Sequence, residues 1–214
     1  MAFTSVQSAN GRATNTQSWE TTLPAAPTRG NLVVVGLMWY DGTAISPLPV
    51  TVSDVNGNPY TVDPTFSNES QDTAGFAGIA YMLSAPANAA AQITVTWSRG
   101  ATVTATWARE FSVTAGNFAA VKSLGQGASG SAAPTDAPRL VASAGDLCFA
   151  QIVTTGIAGA ATSPWTVATE QDGNNTEYIL NATQQHIVGF ASDGGTWNIV
   201  GMVFTEGKKR FLVL

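Results

Sequence analysis

One histidine, one cysteine and fourteen carboxylates carry most of the acid–base, nucleophilic and metal-binding capacity of this 214-residue chain. Their spacing brings few of them together. His186 lies in the apolar run His186-Ile187-Val188-Gly189-Phe190 with no second His or Cys nearby, so neither a metal cluster nor a Cys–His pair assembles around it. A partly buried or rim histidine is expected there. Cys148 falls inside Asp146-Leu147-Cys148-Phe149-Ala150, where a lone thiol acts as a small core hydrophobe. The acidic residues are scattered, mostly in turns, and no two can be placed face to face as acid and nucleophile; a dyad formed only by the fold is the alternative. Asp54-Val55-Asn56-Gly57-Asn58 sets oxygens at alternate positions like the start of a calcium loop, but lacks that motif's later glycine and terminal glutamate. Asn56-Gly57 favours a hairpin turn, because both central positions tolerate φ > 0; calcium is the alternative. Gly125-Gln126-Gly127-Ala128-Ser129-Gly130 fits G-x-G-x-x-G, yet a Ser/Ala/Pro-rich stretch follows where the dinucleotide motif needs a helix, so a flexible loop is expected. No catalytic residue, cofactor site or metal ligand is assigned. Trp39, Tyr40, Trp97, Trp107, Trp165 and Trp197 could form a sugar-stacking row, but most fall on core-facing phases, which favours packing.

The elements that must position these groups are strands. Gly30-Asn31-Leu32-Val33-Val34-Val35-Gly36-Leu37-Met38-Trp39-Tyr40 carries a run of three valines and two aromatic residues, is too short and glycine-marked for a good helix, and ends on the turn dipeptide Asp41-Gly42. Apolar on both alternating sets, it should be covered on both faces. A second copy, Gly145-Asp146-Leu147-Cys148-Phe149-Ala150-Gln151-Ile152-Val153, lies 115 residues on, and Phe3, Val6 and Ser8 fall on Phe118, Val121 and Ser123 at that offset. This reads as an internal duplication. Further strands are expected at Phe3–Ser8, Ser18–Leu23, Pro49–Asp54, Tyr60–Asp63, Gly75–Leu83, Gln92–Trp97, Thr102–Val113, Phe118–Ser123, Trp165–Ala168, Tyr178–Leu180, His186–Phe190 and Trp197–Phe204. Phe66–Ala74 reads as a surface loop. Arg109 falls on a core-facing phase, where a bulge must re-aim it or a carboxylate must meet it. No segment has helical periodicity. The expected fold is all-β, a jelly-roll-like β-sandwich whose pseudo-repeated halves, 1–115 and 116–207, pack as one unit, since strand pattern runs across the boundary; two tandem sandwiches are the alternative.

Hydrophobic residues make up 44% of the chain and charged residues 11%, so a sizeable core is solvated mainly by hydroxyls, amides and backbone rather than by ions. A net charge of −5, with no basic stretch longer than Lys208-Lys209-Arg210, argues against nucleic acid as principal partner. A single cysteine excludes an internal disulfide framework. Met1-Ala2-Phe3-Thr4-Ser5-Val6 lacks a basic and apolar leader, and no run is long and apolar enough for a membrane helix, so neither secretion by signal peptide nor a membrane partner is expected. Asn68-Glu69-Ser70, Asn174-Asn175-Thr176 and Asn181-Ala182-Thr183 match the glycosylation pattern and, without a leader, read as accidents of composition.

The succession Gly30-Asn31-Leu32-Val33-Val34-Val35, Val52-Ser53-Asp54, Gly57-Asn58-Pro59-Tyr60-Thr61, Ile79-Ala80-Tyr81, Ile93-Thr94-Val95-Thr96-Trp97 and Glu110-Phe111-Ser112 resembles a loose group of β-sandwich proteins. That group occurs among tailed-bacteriophage virion proteins and bacterial secreted proteins. Ala144-Gly145-Asp146-Leu147, Pro164-Trp165-Thr166 and Trp197 to Phe204 look like its usual second half. The resemblance implies a non-enzymatic minor capsid, decoration or tail-associated protein, made in the host cytoplasm and located in the virion. Its partners would be other virion proteins and further copies of itself. A carbohydrate-binding or adhesin-like module contacting a host-surface glycan is the alternative. The chain departs from the group in lacking a Gly after Glu110-Phe111-Ser112 and in its ending, Lys208-Lys209-Arg210-Phe211-Leu212-Val213-Leu214. That ending, set after a break at Gly207, is the candidate assembly contact: four apolar residues could add a strand to a neighbour's sheet while three cations meet an acidic surface. Folding back as an edge strand of its own sandwich is the alternative.

Overall fold

The two apolar anchors become the centre strands of two sheets. A computed structural model describes residues 3–41, 49–64, 75–114, 117–130, 138–155, 158–161, 163–171, 174–188, 190–192 and 195–208. The first half contains β1 (Thr4–Thr22), β2 (Leu32–Tyr40), β3 (Val50–Asp54), β4 (Thr61–Val62), β5 (Phe76–Met82) and β6 (Gln92–Ser112). The second contains β7 (Asn117–Gly130), β8 (Arg139–Val141), β9 (Asp146–Thr154), β10 (Ala158–Ala161), β11 (Thr166–Gln171), β12 (Asn174–Ala182), β13 (Gln185–Ile187), β14 (Phe190–Ser192) and β15 (Trp197–Lys208). The fold is all-β: among the described residues there is no helix, and every pairing between these strands is antiparallel.

The first sheet runs β1-β6-β2-β5-β4 and the second β7-β15-β9-β12-β11. In each, an edge strand pairs with the last strand of its half, the anchor is central, and a short edge strand pairs with the strand that follows it in the chain. The strand directly after each anchor lies off these orders, β3 pairing with the early part of β6 and β10 with β14, and in the second half β8 and β13 form a further pair. The lead-in to each anchor also matches. The N–H groups of Asn31 and Asp146 donate to the carbonyls of Thr28 and Ser143, both at 3.0 Å. Gly30 and Gly145 take φ of 90° and 93° at the third position of those turns, a conformation that makes each a type II turn and favours glycine.

Three cores follow from the alternation of side chains along the anchors. Leu32, Val34 and Met38 of β2 meet Leu147, Phe149 and Val153 of β9 in the core between the two sheets. Val33, Val35, Leu37 and Trp39 point the other way, into a core closed by Val52, Tyr60 and Trp97. Cys148, Ala150 and Ile152 point into the outer core of the second half, closed by Leu140, Trp165 and Val188. Both anchors are thus covered on both faces, as their unbroken apolar runs require.

Several boundaries differ from the sequence reading because long-range pairing overrides local composition. β1 is continuous through the polar segment Ala13–Thr16, held against β6, and it bends at the register shift between Thr16 and Ser18, beside Asn15 with φ 50°. The two strands expected over 92–97 and 102–113 are one strand, β6. The glycine motif Gly125–Gly130 is no loop: it is the end of β7, paired with β15 from Gly130↔Trp197 to Gln126↔Gly201. Gly57, φ 82°, makes the expected tight hairpin turn: Asp54 N donates to Asn58 O at 3.0 Å and Tyr60 N to Val52 O at 2.9 Å across it, while β3 also pairs with β6 and β4 with β5. The loops at 42–48 and 66–74 lie outside the described residues.

Candidate functional site

Two buried acids of the first half, Asp54 and Glu110, are fasteners. Asp54 closes its turn by accepting four N–H groups: Asn56 N and Asn58 N on Oδ1 at 3.0 and 2.9 Å, and Asn58 Nδ2 and Ala90 N on Oδ2, both at 2.8 Å. Burial pushes its pKa up, but hydrogen bonds from the Asn58 side chain and from the backbone of Ala90, Asn58 and Asn56 outweigh it and hold the carboxyl below the usual range. The calcium alternative has no support here, because donors fill the carboxylate and Asn56 aims its Nδ2 at Asn88 O, 2.7 Å away. Glu110, fully buried, accepts from Gln7 Nε2, Thr28 N and Asn31 Nδ2, tying β1 and the lead-in turn to β2.

The second half fastens its anchor with an ion pair. Lys122 Nζ lies 2.6 Å from Asp146 Oδ2 and donates to Ser143 Oγ, and Ser143 N donates to the same Asp146 oxygen at 2.7 Å. Between the sheets, the Arg109 guanidinium lies 4.7 Å from the centre of the Tyr178 ring and donates to Ser5 Oγ at 2.8 Å. An aromatic face therefore receives the side chain. Burial pushes its pKa down, and Tyr178 opposes that shift.

Two titratable groups stand apart. Glu177 is fully buried on the outer face of β12, between Ala150 of β9 and Val167 of β11, and neither carboxyl oxygen has a hydrogen-bond partner among the described residues. Burial pushes its pKa up to about 8. Sequence reasoning missed it, having placed the acids mostly in turns; its position inside a β-prone run was the available signal. His186, paired at the backbone with Leu140, is 9% exposed, and its Nε2 is buried without a partner. Burial lowers its pKa, which favours the neutral imidazole. It lines an open cleft of about 330 Å³ together with Pro164, Thr166, Tyr178, Asn181 and Thr183.

Cys148 is buried and its thiol pKa is pushed up to about 12, first by burial and then by Asp146, so it packs as a hydrophobe. Trp39, Trp97, Trp107, Trp165 and Trp197 are buried, and Tyr40 is half-buried, so these residues make no stacking row on the surface. Of the candidate assembly contact Lys208, Lys209, Arg210, Phe211, Leu212, Val213 and Leu214, only the backbone of Lys208 is described. Lys208 closes β15 opposite Asn117, so the break expected at Gly207 does not occur; residues 209–214 lie outside the described residues. No protein-family model matches the chain, and no curated protein matches it.

Proposed function

We propose that the chain is a structural, non-enzymatic component of a tailed-bacteriophage particle, a capsid-decoration, minor capsid or tail-associated protein built from two pseudo-repeated, jelly-roll-like halves. One observation carries the reading: the buried acids Asp54, Glu110 and Asp146 are engaged in holding turns and strands together. A charge-poor surface around a large, fully covered β body suits permanent assembly, and the resemblance of the strand motifs to virion sandwiches points the same way. Partners on this reading are other virion proteins and further copies of the chain. The candidate contact is Lys208–Leu214, whose first residue closes the last strand.

The test is banding on a density gradient. An epitope-tagged chain produced alongside the particles should band with them, and a chain ending at Lys208 should fold with the same unfolding midpoint yet stay at the top of the gradient. A full-length chain that remains free of particles overturns the reading; a truncated chain that still bands with them removes the tail from it.

A second reading, a carbohydrate-binding or adhesin-like module, draws on the cleft beside His186, whose Thr166, Asn181 and Thr183 offer neutral hydrogen-bonding groups next to the Tyr178 ring. Retention of the free protein on a glycan array, lost in a Thr166→Trp variant that fills the cleft, would favour it over the particle role.

A further inference from the structure

The contact between the sheets has the form of a two-fold interface. Tyr81 and Tyr178 occupy the same place in their halves. Each is paired across its sheet with a threonine of the short edge strand, Thr61 or Thr166, and with an anchor residue, Val34 or Phe149. Phe111 and Phe204 likewise both pair with the leucine that opens an anchor, Leu32 or Leu147. Across the core, Phe111 of the first half meets Tyr178 of the second edge-to-face at 5.6 Å and 69°. Phe204 of the second half meets Tyr81 of the first edge-to-face at 5.6 Å and 73°. If residue i touches j and the twin of j touches the twin of i, the surface is isologous, as in a symmetric homodimer.

At the crossing of the two anchors, a residue faces its own twin. Gly36 and Gln151 are 115 residues apart, the offset of the anchors themselves. A Cβ at Gly36 would run into Gln151 Oε1 and the Thr176 methyl. The twin positions are therefore complementary: glutamine fills the space that glycine leaves. Two first halves would meet glycine to glycine over a void, and two second halves would set glutamine against glutamine. The pair specifies first half with second half and disfavours both like pairings.

We propose that this face is a self-pairing surface whose alternative partner is a second copy of the chain: two copies exchange halves, the first half of each docking on the second half of the other, through contacts identical to those of the closed chain. Each half keeps its own outer core in either arrangement. The halves are joined by only four residues, 113–116, between β6 and β7. A short connection gives an intramolecular effective concentration on the order of millimolar, so the closed chain dominates in dilute solution and exchange grows as protein becomes concentrated. It rests on the twin contacts and is independent of the particle reading.

The complementary pair supplies the test on full-length chains. Gly36→Gln alone sets two glutamines together and Gln151→Gly alone leaves two glycines, so each closed variant should unfold at a lower temperature than the wild type. The double variant Gly36→Gln/Gln151→Gly turns the pair round and should recover part of that loss, the Thr176 methyl still meeting the new side chain. When the two single variants, one carrying a small mass tag, are unfolded together in urea and refolded as a mixture, exchange restores a glycine–glutamine pair at both contacts. Native mass spectrometry should then find a dimer of one chain of each kind, with an unfolding midpoint above those of both single variants. If Gly36→Gln does not refold alone, its rescue into that mixed dimer supports the proposal equally. A mixture that stays two separate species with their lowered midpoints, or a double variant no better than the single ones, overturns it.

Discussion

Replacing Glu177 with glutamine should remove a large alkaline-side penalty on stability. In the folded chain the carboxyl is fully buried without a partner and its pKa is about 8, against an ordinary 4.5. Between those values the folded state holds a proton that the unfolded state has released, so stability falls as pH rises from 4.5 and levels off above 8. Each pKa unit corresponds to about 1.4 kcal/mol, so the full penalty is on the order of 4–5 kcal/mol, a large fraction of the ~5–15 kcal/mol that holds an ordinary domain together. Cys148, on the same face, adds nothing in this window because its pKa is about 12. The measurement is urea unfolding of the wild type and of Glu177→Gln at pH 5, 7 and 9. The other titrating groups are common to both proteins, so the gap between the curves isolates Glu177. It should widen by several kcal/mol from pH 5 to pH 9 in favour of the variant. Parallel curves would show that the carboxylate finds solvent or a cation when it ionises, and would refute the reasoning.

Two further outcomes follow from the site geometry. Asp54→Ala strands four N–H donors around the Asn56–Asn58 turn and should cost on the order of 3 kcal/mol in thermal or urea unfolding, whereas Asp54→Asn, which keeps an acceptor, should cost less. Arg109→Met should change stability by only about 1 kcal/mol, because Met202 fills the twin position in the same core and the lost contact with the Tyr178 ring is offset by removing a buried cation; a loss several times larger in urea unfolding would mean that the cation itself organises the interface.

The anchors were legible in the sequence because a run that is apolar on both faces has few places to go except the middle of a covered sheet. The rest of the correspondence between the two halves was harder to see because the second half is shorter, so the offset between matching segments drifts. It is 115 at Gly30 and Gly145, 105 between Pro59-Tyr60-Thr61-Val62 and Pro164-Trp165-Thr166-Val167, 97 between Tyr81-Met82-Leu83-Ser84-Ala85 and Tyr178-Ile179-Leu180-Asn181-Ala182, and 93 between Phe111 and Phe204. A comparison at fixed offset finds only the first. The end of β7, beyond the strand expected over Phe118–Ser123, escaped notice because Gly125–Gly130 has the composition of a loop, and only its partner β15 makes it a strand. Glu177 was harder to read for a different reason: its counterpart is Ala80, an apolar core position, and its place inside a β-prone run was the one local sign that a carboxyl would be buried there.

Quantitative peptide mass spectrometry of gradient-purified particles tests the structural role most directly. A building block should be present at a fixed ratio to the particle's shell or tail protein, the same in every preparation. A trace amount that varies between preparations would contradict it.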